Sequence, residues 1–181
     1  MATQVQVDEL IAKMTEERDT LLEAVAQVIE AEADVRPPEG EGEAGWSVKE
    51  QLSHLAEMEV SYRAWVQRAL VEDRPDVTEG TTTDPVAVPH SEAHSANLES
   101  HVAELKRLRE QTLEIVGAIP LEGFERTAST RIFGELTVLQ WLRSYYRHDR
   151  MHAAQIEGRQ SDYVPRWAEG QGEPQRAKRT E

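Results

Sequence analysis

Apolar residues recur at three- and four-residue steps in four stretches of the chain, the period of a helix with one face turned inward. In the first, about 5–34, Val7, Leu10, Ile11, Met14, Leu21, Leu22, Val25, Val28 and Ile29 share one stripe. The pattern breaks at RPPEGEGEAGW, where Pro37, Pro38 and three glycines oppose a helix. Glu39, Glu41 and Glu43 mark that segment as a solvated loop. Ser47 followed by Glu50 has the spacing of a capping box and predicts a second helix reaching about 71, with Leu52, Leu55, Met58, Tyr62, Trp65, Val66, Ala69 and Leu70 inward. A connection over 73–89, with Pro75, Pro85 and Pro89, is long for a link between helices. The third helix is expected from about 91 to Pro120, on Leu98, Val102, Leu105, Leu108, Thr112, Ile115 and Ile119. Residues 120–136 read as an irregular crossing segment with room for a short strand. A second capping box, Thr137 with Gln140, opens the fourth helix, whose stripe of Val138, Trp141, Leu142, Tyr145, His148, His152 and Ile156 ends at Gly158. The expectation is an all-α protein, a four-helix bundle over 1–158 followed by a polar tail over 159–181, with Tyr163, Val164 and Trp167 available to pin the tail's first half.

Composition narrows the chemistry. With 181 residues the chain can bury roughly 70% of its unfolded surface, so a core needs neither disulfide nor structural metal. Its 34 acidic and 20 basic side chains leave a formal charge of -14, the wrong sign for gripping a phosphate backbone, and no nucleic-acid partner is expected. There is no cysteine, which excludes thiolate metal sites and a protein-borne thiol nucleophile, so any metal must be held by His, Asp or Glu. The N-terminal MATQVQVDELIAKM lacks a basic region and an apolar core, and no stretch approaches the ~18 apolar residues of a membrane span; a cytoplasmic location with no membrane partner is expected.

Two histidines interrupt the apolar stripe of the fourth helix. His148 and His152 are four residues apart, which places both imidazoles on one helix face about 6 Å apart along the axis, close enough to share an ion. Spacing alone equally fits two hydrogen-bonded helix residues. His54 lies beside Leu55 and Met58 on the inner edge of the second helix, where a desolvated imidazole needs a partner, either a backbone carbonyl or a metal. Three neutral nitrogens from two helices match the ligand count of a catalytic metal site with open positions.

The segments GWSVKEQLSHLAEMEVSYRAW and GELTVLQWLRSYYRHDRMHAAQIEG, in this order, resemble the DinB-like (DinB/YfiT) superfamily of metalloenzymes over about 5–158. The resemblance implies a bundle of up-down-down-up connectivity, frequently a homodimer. It implies a divalent metal, nickel or zinc, on His54, His148 and His152. It also implies chemistry on a small-molecule substrate, including transferases and isomerases that use low-molecular-weight thiols such as bacillithiol and mycothiol. The leading expectation is therefore metal-dependent transfer of a small thiol to an electrophile. Metal-assisted hydrolysis and a non-catalytic binding module are the alternatives.

Other residues carry weaker signals. His90 and His94 form a second pair at the same spacing, readable as a further metal site or as a helix entrance, and His101 reads as a boundary residue. Glu57, one turn after His54, could orient a ligand or stay solvated. Glu50 is explained by capping, and Asp149, offset by about 100° from His148, suits a supporting role better than ligation. Arg143, Arg147 and Arg150 face away from the histidines, free to be solvated or to pair with the acidic N-terminal segment. Tyr62, Trp65, Trp141 and Tyr145 coincide with the stripes and are expected in the core.

Overall fold

Each of four helices opens on a side chain that satisfies an otherwise unbonded backbone N–H. Helix α1 (Gln4–Ala26) has a capping box of Thr3 and Gln6, α2 (Val48–Val71) one of Ser47 and Glu50, and α4 (Val138–Ile156) one of Thr137 and Gln140. In α3 (Leu98–Ala118) the Asn97 side chain accepts from the Ser100 N–H. The computed structural model describes residues 2–39, 42–77, 91–131 and 133–163. Val164, Trp167, His90 and most of the 73–89 connection lie outside them, so the second histidine pair and the anchoring of the tail by those two residues do too.

The helices pack in the cyclic order α1, α4, α2, α3, with α1 against α4 the most extensive pairing. Two hydrophobic clusters fix their directions. One joins Val7, Leu10 and Met14 to Val138, Trp141 and Leu142, and takes Tyr62, Trp65 and Ala69 from the later half of α2 and Val116 from the end of α3. The other joins Leu21 and Val25 to Ala153, and takes Leu52 and Leu55 from the start of α2 and Leu98 and Leu105 from α3. So α1 runs parallel to α4, α2 runs parallel to α3, and the pairs oppose each other: an up-down-down-up bundle. Because α2 and α3 run parallel, the end of α2 and the start of α3 lie at opposite ends of the bundle.

Two boundaries differ from the sequence expectation. Helix α1 stops at Ala26, and the chain continues through a 3₁₀ turn at Glu30–Glu32, leaving Ile29 exposed although it shares the apolar stripe. Tertiary anchoring overrides periodicity there. Ala33 is fully buried, its carbonyl accepts from the Lys49 N–H, and the Lys49 ammonium pairs with Glu30 and Asp34. Similarly, α3 starts at Leu98 rather than near 91, since Ser91–Ser95 forms a separate 3₁₀ turn. The crossing segment contains a hairpin of β1 (Thr127–Thr130) and β2 (Gly134–Thr137), antiparallel with Thr127 opposite Thr137. Tyr62, Trp65, Trp141 and Tyr145 pack together in the core as expected, with Trp65 and Trp141 ring centroids 5.2 Å apart.

Across the middle of the bundle each helix contributes one buried charge. Arg18 of α1 and Arg109 of α3 both bond to Glu59 of α2 and Asp149 of α4, and their remaining N–H groups donate to the Leu105 and Met14 carbonyls. All four side chains are at least nine-tenths buried. Burial alone would raise the Asp149 carboxyl, but Arg109 and Arg18 hold it below its ordinary value. The supporting role expected of Asp149 is thus ion pairing in the core. Among the arginines of α4, Arg150 takes the paired alternative, bonding to Glu17 of α1.

Candidate metal centre

The histidines meet between the start of α2 and the end of α4. His148 Nε2 lies 3.1 Å from the Nε2 of His54 and 3.1 Å from that of His152. A fourth donor comes from the turn before α2: Glu43 Oε1 is 3.5 Å from His54 Nε2, and Oε2 is 3.5 Å and 3.8 Å from the Nε2 atoms of His152 and His148. Four donors held about 2.0–2.2 Å from one tetrahedral ion lie about 3.3–3.6 Å from each other; these separations are near that, and the four donors all fall within 4.8 Å of one another.

Proton accounting makes the same point. The Gln51 amide nitrogen donates to the Trp46 carbonyl at 3.1 Å, which turns Oε1 toward His152 Nδ1 at 3.0 Å. That contact requires a proton on Nδ1, so neutral His152 presents a bare lone pair at Nε2. Burial, then the neighbouring His148, push the His152 imidazole down to about 3, which keeps it neutral. His148 has one Nε2 facing two others, so only one of the two 3.1 Å contacts can be a hydrogen bond. A cation among the three nitrogens satisfies all of them. Burial alone would raise the Glu43 carboxyl, but its neighbours, the His148 side chain foremost, hold it well below the usual carboxylate range.

The supports are aromatic and aliphatic. Trp46, fully buried, meets His54 edge-on at 5.0 Å between centroids, and the chain neighbours Leu55 and Ala153 of His54 and His152 belong to the adjoining buried cluster. His54 and His152 are almost completely buried, whereas the His148 side chain is 13% exposed and that of Glu43 25%, so solvent reaches the donors from that side. A cavity about the size of one water lies where Leu55, Tyr62 and His148 meet the buried ion pairs of Arg18, Glu59, Arg109 and Asp149.

The structure brings together all three histidines singled out in the sequence. It places Glu43 with them, against the expectation of a solvated loop carboxylate. No local signal marked Glu43, because it reaches the site through the path of the chain between α1 and α2. Glu57 is not among the converging donors. His94 sits outside α3, in the 3₁₀ turn Ser91–Ser95, and its ring nitrogens face Asp34 at 2.7 Å and Glu50 at 3.4 Å. His101 is a boundary residue, its Nε2 2.9 Å from the Ala93 carbonyl.

Several known proteins are similar to this chain. YfiT from Bacillus subtilis, a probable metal-dependent hydrolase with an unusual four-helix bundle topology, aligns with a TM-score of 0.71 at 20% identity, over 87% of each chain. The mycothiol-dependent maleylpyruvate isomerase aligns with a TM-score of 0.61 at 13% identity, over 83% of this chain and 60% of the longer isomerase. At these identities the likeness shows the fold. The uncharacterized protein YuaE of Bacillus subtilis (strain 168) is 28% identical over 122 residues, 62% of this chain and 75% of YuaE. Residues 13–156, which contain the three histidines and nearly all of the bundle, match the DinB superfamily, and the chain belongs to that superfamily.

Proposed function

We propose that this protein is a metal-dependent enzyme in which His54, His148 and His152 hold a divalent ion, nickel or zinc, and that it transfers a low-molecular-weight thiol to an electrophilic small molecule. The observation that carries the reading is the convergence of three imidazole Nε2 atoms, 3.1 Å apart in two pairs, on a point that solvent reaches beside His148. When bound, such an ion acts as a Lewis acid and favours the deprotonated form of a coordinating thiol or water. The protein's own groups supply the rest. Gln51 fixes the tautomer of His152, Trp46 packs edge-on against His54, and the exposed side of His148 and Glu43 admits a reactant. Because the chain has no cysteine, a sulfur nucleophile must come from outside.

The thiol reading is supported by the fold shared with the mycothiol-dependent isomerase, and metal-assisted hydrolysis, the second reading, by the closer overlap with YfiT. One assay separates them. Untagged protein is first analysed for its metal content. The metal-loaded form is then given an electrophile with and without bacillithiol or mycothiol. Acceleration that requires the thiol, and that His148→Ala removes while leaving the helical signal intact, is the expected result. Turnover without thiol assigns hydrolysis. No turnover over a broad panel, with metal bound, assigns a binding module.

A further inference from the structure

Resting on the metal reading above, we propose that Glu43 is the fourth ligand of the centre and a displaceable one, whose place an incoming anionic sulfur or oxygen donor takes. Both carboxylate oxygens face the nitrogens, Oε1 toward His54 and Oε2 toward His148 and His152. With three imidazoles and this carboxylate in place, a zinc or cobalt(II) ion held tetrahedrally has no position left for a reactant unless one donor yields. The four are anchored very differently.

His54 and His152 lie inside helices, fully buried, the latter braced through Gln51 to the Trp46 carbonyl. His148 shares the α4 backbone with Asp149, which is locked into the ion pairs to Arg18 and Arg109. Moving any of these side chains disturbs core packing. Glu43 belongs to the four-residue 3₁₀ turn Gly42–Gly45, which buries no residue, and its side chain is the most exposed of the four. Gly42, at φ +55, has a conformation that a side chain would disfavour, so the backbone turns sharply just before the ligand. The most exposed donor is thus also the one that no α-helix and no buried ion pair holds in place.

Charge favours the same exchange. Three neutral imidazoles, one carboxylate and a divalent ion carry a net single positive charge, which is preserved when a thiolate or another monoanion replaces the carboxylate. A neutral donor would leave the buried centre more highly charged, at a desolvation cost.

Cobalt(II) serves as the probe metal and 2-mercaptoethanol as the probe thiol, with the full-length chain, Glu43→Gln, Glu43→Ala and the same-loop control Glu39→Gln. Folding of each is checked by circular dichroism. Wild type and both Glu43 variants are expected to bind one cobalt, with the visible cobalt bands of the Glu43 variants shifted and those of Glu39→Gln unchanged. A carboxylate that occupies its position about nine times in ten lowers the apparent affinity for a competing ligand about tenfold, so the thiol should bind Glu43→Ala about tenfold more tightly than wild type. Thiol binding is read from the sulfur-to-cobalt charge-transfer band. Identical cobalt bands and identical thiol affinity in wild type and Glu43→Ala overturn the proposal while leaving the three-histidine site standing. Folded Glu43 variants that lose cobalt altogether also overturn it, since Glu43 would then be an obligatory ligand. Wild-type protein that takes up no cobalt overturns the metal reading itself.

Discussion

Gln51 decides which nitrogen of His152 is free, and a centre built from imidazoles depends on that choice. Its amide is held between the Trp46 carbonyl and His152 Nδ1, so the proton stays on Nδ1 and the lone pair faces the other donors. Outer hydrogen bonds of this kind are typically worth about 10–100-fold in metal affinity. Gln51→Leu is expected to weaken metal binding by about that factor with no change in helical signal, measured by competition with a chromophoric chelator. Unchanged affinity would mean that packing alone orients His152. The three histidines were legible in the sequence because each interrupts or borders an apolar stripe. Gln51 was not, since nothing local distinguishes a glutamine that faces an imidazole on another helix from one that faces water.

Among the helices, the buried ion pairs are the main departure from an apolar interior. Arg18, Glu59, Arg109 and Asp149 balance as two positive and two negative groups, one from each of α1 to α4. Removing one partner strands the others, and Arg109→Ala is expected to destabilise the fold by about 3–5 kcal/mol in urea unfolding. Replacing all four with apolar residues of similar volume should cost far less or even stabilise, because the desolvation of the charges disappears with them. A mild effect of Arg109→Ala would show that water enters the adjoining cavity and solvates the orphaned carboxylates. The sequence did carry a trace of this network: Arg18 stands between Met14 and Leu21, and Asp149 between Tyr145 and Ala153, all buried on their helices. A charge inside a stripe signals a partner, but not which helix supplies it.

Taken as a whole, the molecule has a core on either side of the centre, so the metal is not needed to hold the bundle together. Chelation should therefore leave helical circular dichroism and a cooperative melt, with Tm lowered. A ligand at a thousandfold its Kd contributes about 4 kcal/mol, and each kcal/mol shifts Tm by about 2–4 °C in a chain of this size. Collapse of the helical signal on chelation would make the site structural and weaken the enzyme reading. Among the described residues no helix is long and apolar enough to cross a membrane.

Periodicity and capping determined that the chain makes four helices and where α2 and α4 begin, because those are local properties: Ser47 with Glu50 and Thr137 with Gln140 satisfy backbone donors within a single turn. The inward phase of His54, His148 and His152 was local in the same sense. Helix direction, the early end of α1 and the identity of the fourth donor were decided only in three dimensions. Each depends on contacts between residues far apart in the chain, such as Lys49 on Ala33 or Glu43 on His148 and His152. A glutamate in a glycine-rich loop is solvated by default, and only the closure of the bundle around three imidazoles gives it something better than water to face.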